Sequence, residues 1–507
     1  MLTTSRQAPR QPCCTGVGPV TLRMDVMRVT SKCIVALTCL LALRVGTADT
    51  LWDIYQKARQ NDPQLREADA NRMAIRQTKP QALGALLPQL TGGASETWTH
   101  REGDQTRTEQ NVLGNDIFFQ NEFSTWNNPS GWRLDLRQTV FRWDQWVRFR
   151  QADKQATQAD VDYRVAEINL YTRVAEAYFN VLAADDTLAA NVSARDAIGR
   201  QLEQAQKRFE VGLIAITDVQ EAQAGYDQAI ASEILAKRQL ATSKEVLREI
   251  IGDYPRSLSK PLQEIPLISP TPQDESQWVE LALQQNLALQ SAELGTAIAR
   301  DEVSAARAAH FPTIDLVASR TDGESDGHSR SANLPDTLAD VDANQTSGQS
   351  VDDSIGIQIS IPIFSGGTTS ARTEQTVYQH RASKERLERI ARQTERQTRD
   401  AYLAVESEIS RVKALQQALK SAQTALQATE AGFEVGTRTT VDVLAGRRTL
   451  VQAETNYARS RYDYIVNVLR LKEAAGSLDD ADVQEVNSWL EPSMATKPET
   501  PSGESAR

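Results

Sequence analysis

The chain has 507 residues, of which 40% are hydrophobic and only 6% aromatic. Its mean hydropathy of −0.46 is too polar for a protein built from many transmembrane helices. The net charge is −11 without basic blocks, which excludes a typical nucleic-acid binder because phosphate contacts need clustered Lys and Arg. This length predicts two or more units or one elongated assembly.

The N-terminal region carries an export signal. From Met27, a short basic region precedes an apolar run at 33–43, and small residues follow it. The run is shorter than the about 20 residues that span a bilayer, which disfavours an uncleaved anchor. We predict an upstream segment plus signal peptide over 1–48, with the signal itself at 27–48, and an exported mature protein.

The reactive residue types are sparse. All four cysteines lie upstream of the predicted cleavage, so the mature chain would have no disulfide and no thiolate chemistry. The four histidines are scattered without the spacing of metal ligands, and no glycine-rich phosphate loop occurs. The sequence therefore predicts no enzyme activity, no cofactor and no metal site.

An internal repeat organises the rest of the chain. The segment RFEVGLIAITDV, which begins at Arg208, matches GFEVGTRTTVDV, which begins at Gly432, 224 positions later. The same offset holds over most of the chain, which indicates a duplication. We predict structural repeats at 49–268 and 269–478, followed by a C-terminal segment and disordered tail at 479–507.

Each repeat is expected to contain a helix and a long helical hairpin. Apolar residues recur at 3-4 spacing through both copies, which predicts left-handed coiled-coil packing. Residues 143–211 contain no proline and would form a helix on the order of 100 Å long. Val-Gly pairs then turn the chain back. The predicted hairpins occupy 143–252 and 367–476, and two apolar seams on one helix indicate a closed ring of helices.

Four segments alternate apolar and polar residues with a period of two, as transmembrane β-strands do. They lie at about 88–102, 130–142, 312–322 and 354–365. The polar stretches 100–128 and 321–354 are expected to be loops on the outer side of the membrane. Four strands cannot close a barrel, since barrels begin at about eight strands, so several protomers would have to contribute. Two soluble hairpins remain the alternative at this point.

The sequence resembles the TolC-family outer-membrane channels over about residues 51–490. The most specific segments are AYFNVL (177–182), RFEVGLIAITDVQ (208–220) and FEVGTRTTVDVL (433–444). The resemblance implies a mixed α+β membrane protein in which three protomers each give four strands to a twelve-stranded transmembrane β-barrel. A long α-helical coiled-coil barrel would continue this barrel across the periplasm.

The resemblance also implies a function and partners. The protein would be a passive exit duct in the outer membrane of a Gram-negative cell, used by tripartite efflux pumps or type I protein secretion. Its partners would be a periplasmic adaptor (membrane fusion) protein and an inner-membrane efflux or ABC transporter. A soluble periplasmic coiled-coil scaffold is the alternative function.

Family members close a periplasmic gate by bonds that tie an inner coiled coil to the outer one and to the neighbouring protomer. The resemblance pairs Gln201 with Glu430, position 433 with Asp218, and Arg438 with Thr217 and Asp218. Many relatives have tyrosine where this chain has Phe433, so the hydroxyl bond to Asp218 cannot form here.

Two further sites follow from the resemblance. Asp442 matches an acidic ring at the selectivity constriction, but the second ring position is Ala445, so the negative charge there would be halved. The two hairpin tips are expected to dock the adaptor, and they consist of Val211, Gly212, Leu213, Val435, Gly436 and Thr437.

Overall fold

The computed structural model describes residues 48–490, except 111, 115, 256, 263 and 335–340. Nearly all of the predicted signal peptide, and the predicted disordered tail, lie outside the described residues. The elements described below belong to one unit, Asp49–Glu491.

The described helices fall into two similar sets. The first set has α1 (Leu51–Asn61), α2 (Pro63–Arg76), α3 (Thr78–Gly84), α4 (Trp143–Glu210) and α5 (Ile216–Ile251). The second set has α6 (Glu275–Gln285), α7 (Leu287–Ala308), α8 (Thr368–Glu434) and α9 (Thr440–Ala475), and is followed by α10 (Asp480–Ser488). The long helices α4 and α8 have 68 and 67 residues, so each is about 100 Å long. None of the described helices has an apolar stretch long enough to cross a membrane.

The strands form one antiparallel sheet. They are β1 (Gln89–Glu96), β2 (Thr99–Gln110), β3 (Asp116–Phe141), β4 (Thr313–Leu334) and β5 (Val341–Ser360). β3 pairs with β4, and β4 pairs with β5, while β1 and β2 pair one after the other with β3 on its other side. The gap between β1 and β2 lies opposite Pro129. The Pro129 carbonyl accepts a hydrogen bond from the Thr97 N–H at 3.0 Å, but proline has no N–H to return one. The described sheet therefore has four strand positions.

The strands are much longer than the alternating pattern predicts. β3, β4 and β5 have 26, 22 and 20 residues. The stretches 100–128 and 321–354 are mostly strand, so the prediction of loops there is wrong. Polar pairs such as Asp326 opposite Ser347 continue the same ladder, because strand pairing is held by backbone hydrogen bonds that need no apolar side chains.

The long helices lie side by side. α5 packs on α4, α4 on α9, and α9 on α8, while α7 takes the place between α4 and α8 nearer the sheet. α7 meets the end of α9, where the Asn286 side-chain amide donates to the Ala474 carbonyl at 3.0 Å. The first repeat has a similar junction, where Asn61 donates to the Ile251 carbonyl at 3.0 Å. The wall thus ends in α5 on one side and α8 on the other.

The main hydrophobic core lies midway along the hairpins, where α1, α6 and α10 cover α4 and α9. Leu170, Val174 and Ile465 are completely buried there. Tyr178 is also completely buried, and its hydroxyl donates to the Ser259 carbonyl at 2.7 Å. Burial of each large aliphatic side chain contributes about 1.5–3 kcal/mol. This core joins the two repeats and leaves the hairpin ends projecting beyond it.

Candidate gate at the hairpin tips

Both hairpins end in the same left-handed turn. Gly212 has φ +78° and Gly436 has φ +81°, a left-handed conformation that glycine adopts without strain and most other residues do not. The Leu213 N–H donates to the Arg208 carbonyl, and the Thr437 N–H to the Gly432 carbonyl, each at 2.8 Å. These bonds satisfy carbonyls that the helix ends would otherwise leave free.

The tips expose apolar side chains around these turns. The exposed aliphatic residues are Val211, Leu213 and Val435. Three such side chains at the two tips form a small surface that a partner could cover. The predicted docking residues are therefore accessible in one protomer.

Arg438 lies against its own hairpin. Its side chain occupies the space beside Gly432, where an added Cβ would lie 2.8 Å from the Arg438 Cγ. The Thr437 hydroxyl donates to the Gly432 carbonyl at 3.0 Å. Among the described residues, no ion pair joins Arg438 to Asp218 and no hydrogen bond joins it to Thr217. A link to those residues would have to come from a neighbouring protomer.

The two repeat-related aspartates have different surroundings. The Thr439 N–H and hydroxyl both donate to the Asp442 carboxylate at 2.9 Å, which forms a capping box at the start of α9. At the start of α5 the equivalent of Thr439 is Ala215, which has no side-chain cap to offer. The Asp218 carboxylate makes no hydrogen bond or ion pair within the described protomer, so it remains available to a neighbour.

The pairing of Gln201 with Glu430 does not occur in the described protomer. The Arg447 guanidinium instead donates to the Glu430 carboxylate at 2.6 Å. Gln201 is only 9% exposed, and its side-chain nitrogen has no hydrogen-bond partner. An arginine attracts a carboxylate more strongly than a neutral amide does, which explains why Glu430 pairs within its own hairpin.

Phe433 faces a cation rather than Asp218. The Arg208 guanidinium carbon lies 5.3 Å from the centre of the Phe433 ring, within the range of a cation–π contact. Arg208 lies in the last turn of α4 and Phe433 in the last turn of α8, so the contact joins the two hairpins. The sequence alone shows that position 433 has no tyrosine hydroxyl, but it does not reveal this contact with Arg208.

The acidic residue of the proposed constriction is held in its charged form. The hydrogen bonds from Thr439, together with the nearby Arg438, hold the pKa of Asp442 below its usual range. Ala445 is exposed one helical turn further along α9 and carries no charge. Each protomer thus has one carboxylate at the two positions that the resemblance assigns to the constriction.

Two residues at the tips escaped the sequence reasoning, namely Arg208 and Arg447. Arg208 could have been noticed, because it is the position where the two tip motifs differ first: the second repeat has Gly432 there. The pairing of Arg447 with Glu430 has no equivalent signal in the repeat. This pairing becomes visible only when α9 packs against α8 and brings Arg447 next to Glu430.

Comparison with known proteins identifies the family. The outer membrane efflux protein family matches residues 54–253 and 278–477, two segments that start 224 residues apart like the repeat. The outer membrane protein TolC of Vibrio cholerae is 37% identical over 87% of this chain and 94% of its own length. The alkaline protease secretion protein AprF of Pseudomonas aeruginosa is 30% identical, over 86% of each chain.

A solved structure supports the fold. The CmeC outer membrane channel of Campylobacter jejuni superposes with a TM-score of 0.66 at 17% identity, over 87% of this chain and 90% of the channel. At that identity the likeness concerns the architecture alone. Because the family matches both repeats and relatives of at least 30% identity span most of the sequence, this chain belongs to the outer membrane efflux protein family of transport channels.

Proposed function

We propose that three copies of the chain form the outer-membrane exit duct, with a twelve-stranded β-barrel continued by a hollow barrel of helices. The observation that carries this proposal is the sheet, which is apolar on one face and open at both edges. Among the described residues, β5 pairs only with β4, and β1 and β2 pair only with β3, so each sheet can pair with two neighbours. Closure of a barrel satisfies such edges, which lipid cannot do.

The apolar face of the sheet supports a membrane location. Ile355, Ile357 and Ile359 are 79%, 69% and 60% exposed and lie on the same face as Leu134 and Leu136. The opposite face carries polar side chains at Arg133, Asp135, Ser319, Ser354 and Gln358. An apolar outer face and a polar inner face are typical of a membrane barrel with a water-filled interior. A soluble scaffold, the alternative function, would leave this isoleucine row in water.

The edges of the helical wall support the assembly. On one edge, Ile234 and Leu235 of α5 are exposed, and on the other edge Tyr378 and Leu403 of α8 are exposed. Apolar residues on two opposite edges are expected where identical subunits meet head to tail, and such contacts form a ring when the rotation between subunits closes. Three protomers would bury both edges.

The partners in this proposal are a periplasmic adaptor protein and an inner-membrane efflux or ABC transporter. The exposed tips around Gly212 and Gly436 would dock the adaptor, and opening would separate the hairpins. One relative is named as a protease secretion protein, which supports proteins as one class of cargo besides small molecules. Energy would come from the partners, because the duct itself is passive.

The decisive test is the assembly of the full chain. Protein extracted from outer membranes with detergent should have the mass of a trimer by native mass measurement and should conduct ions in planar bilayers. A monodisperse monomer, or a protein recovered without detergent from the periplasm, would refute the duct and favour the scaffold.

A further inference from the structure

A cation–π contact between Arg208 and Phe433 links the tips of the two hairpins directly. The guanidinium carbon is 5.3 Å from the ring centre, and both side chains are half-buried. Arg208 makes no ion pair or hydrogen bond through its side chain in the described part of the protomer. Its contact with the ring is therefore not a by-product of a stronger pairing.

The backbones of both partners are fixed by the tip turns. The Arg208 carbonyl accepts from Leu213 at 2.8 Å, and the Phe433 carbonyl accepts from Gly436 at 3.1 Å. Neither backbone can follow its partner without unwinding its own turn. Once the hairpins move apart by more than the reach of the arginine side chain, the guanidinium must leave the ring.

The absence of a hydroxyl at Phe433 suits this contact. An aromatic ring attracts a cation to its face through its quadrupole, and phenylalanine has no polar group to compete for another partner. The repeat shows that the arrangement is one-sided: Gly432 occupies the position equivalent to Arg208, and the Arg438 stem fills the space beside it. Only the first hairpin thus has an arginine to offer at this position.

We propose that Arg208 and Phe433 form the latch that holds the two hairpins of one protomer together in the closed duct. This inference rests on the proposed function, because a latch has meaning only in a duct that opens. Three protomers would supply three such contacts at the periplasmic entrance. Arg208 acts as a positioning residue for closure.

The test is a double-mutant cycle on the full-length trimer in planar bilayers. Arg208→Met removes the cation but keeps an unbranched chain, and Phe433→Leu removes the ring but keeps an apolar side chain. Each single variant removes the contact in all three protomers. The ratio of open to closed channels should rise by about two- to five-fold for each contact removed, as expected for an exposed cation–π pair. The double variant should match either single variant, because both remove one contact.

Two further variants control for general damage. Arg200→Met changes an exposed arginine on the same helix that has no ion pair among the described residues, and it should leave the resting conductance unchanged. Arg208→Lys keeps the cation, so its resting conductance should lie closer to that of the wild type than the resting conductance of Phe433→Leu does. This comparison remains possible even if Arg208→Met assembles poorly. Native mass measurement of each variant verifies the trimer.

The outcomes separate the latch from the duct. If wild-type trimers conduct and neither single variant changes the resting conductance, the latch is refuted and the duct stands. Effects that multiply in the double variant would also refute the latch, since they show two independent causes. A wild-type protein that forms no channel would refute the proposed function and the latch together.

Discussion

Replacement of the tip glycines separates the shape of the turn from the bulk of a side chain. A Cβ built on Gly212 or Gly436 meets no atom within 4 Å, so the first side-chain carbon of a substitution there has free space inside the protomer. The cost is backbone strain at φ +78° and +81°, about 1–2 kcal/mol for an ordinary L-residue. Valine is less tolerant of this conformation than asparagine, which visits it readily.

This strain is small beside the packing of the two hairpins. Gly436→Val and Gly212→Val should therefore leave the trimer and its membrane insertion intact while deforming the tips. We expect each valine variant to lose export because the docking surface changes shape, and each asparagine variant to retain most of it. Drug susceptibility of a deletion strain carrying each variant measures export, and outer-membrane fractionation measures insertion.

Two outcomes for the valine and asparagine variants would contradict this prediction. Normal export by both valine variants would show that the tips do not dock the adaptor. Loss of export by the asparagine and valine variants alike would show that side-chain bulk at the tips, rather than the left-handed turn, blocks docking.

Charge at the gate and the constriction gives four further predictions. Arg438→Ser should raise the resting conductance in planar bilayers, because Asp218 of the neighbouring protomer loses its expected partner; unchanged conductance would contradict that link. Asp442→Ala should abolish cation selectivity, measured as the reversal potential in a salt gradient, whereas Ala445→Asp should strengthen block by trivalent cations from the periplasmic side. An unchanged reversal potential would place the charge filter elsewhere. Because the hydrogen bonds from Thr439 and the nearby Arg438 lower the pKa of Asp442, its carboxylate stays ionised in mild acid, so wild-type selectivity should persist at about pH 6; loss of selectivity already at that pH would refute this.

Local signals in the sequence explain the parts of the fold that were predictable. The 3-4 apolar spacing and the absence of proline in 143–211 specify a long helix from local sequence alone. The Val-Gly pairs specify the turns, since a glycine is needed where φ is positive. The 224-residue offset then carries each inference from one repeat to the other.

The outer halves of the strands had no such local signal. Residues 100–110 and 341–354 are polar on both faces, so they lack the alternation by which a half-buried strand is recognised. Their strand structure comes from backbone hydrogen bonds: β2 pairs with β3, and β5 pairs with β4, in each case the neighbouring strand in the chain. Pairing of this kind depends on register rather than on side-chain pattern.

The sequence by itself determined the family resemblance, the duplication and the positions of the two tips, because each of these is written in local motifs and their spacing. Only the tertiary structure decided which charges meet there. Glu430 pairs with Arg447 instead of Gln201, and Arg208 lies over Phe433. Such contacts join side chains on different helices, and their formation depends on how the long helices pack side by side, which no local pattern records.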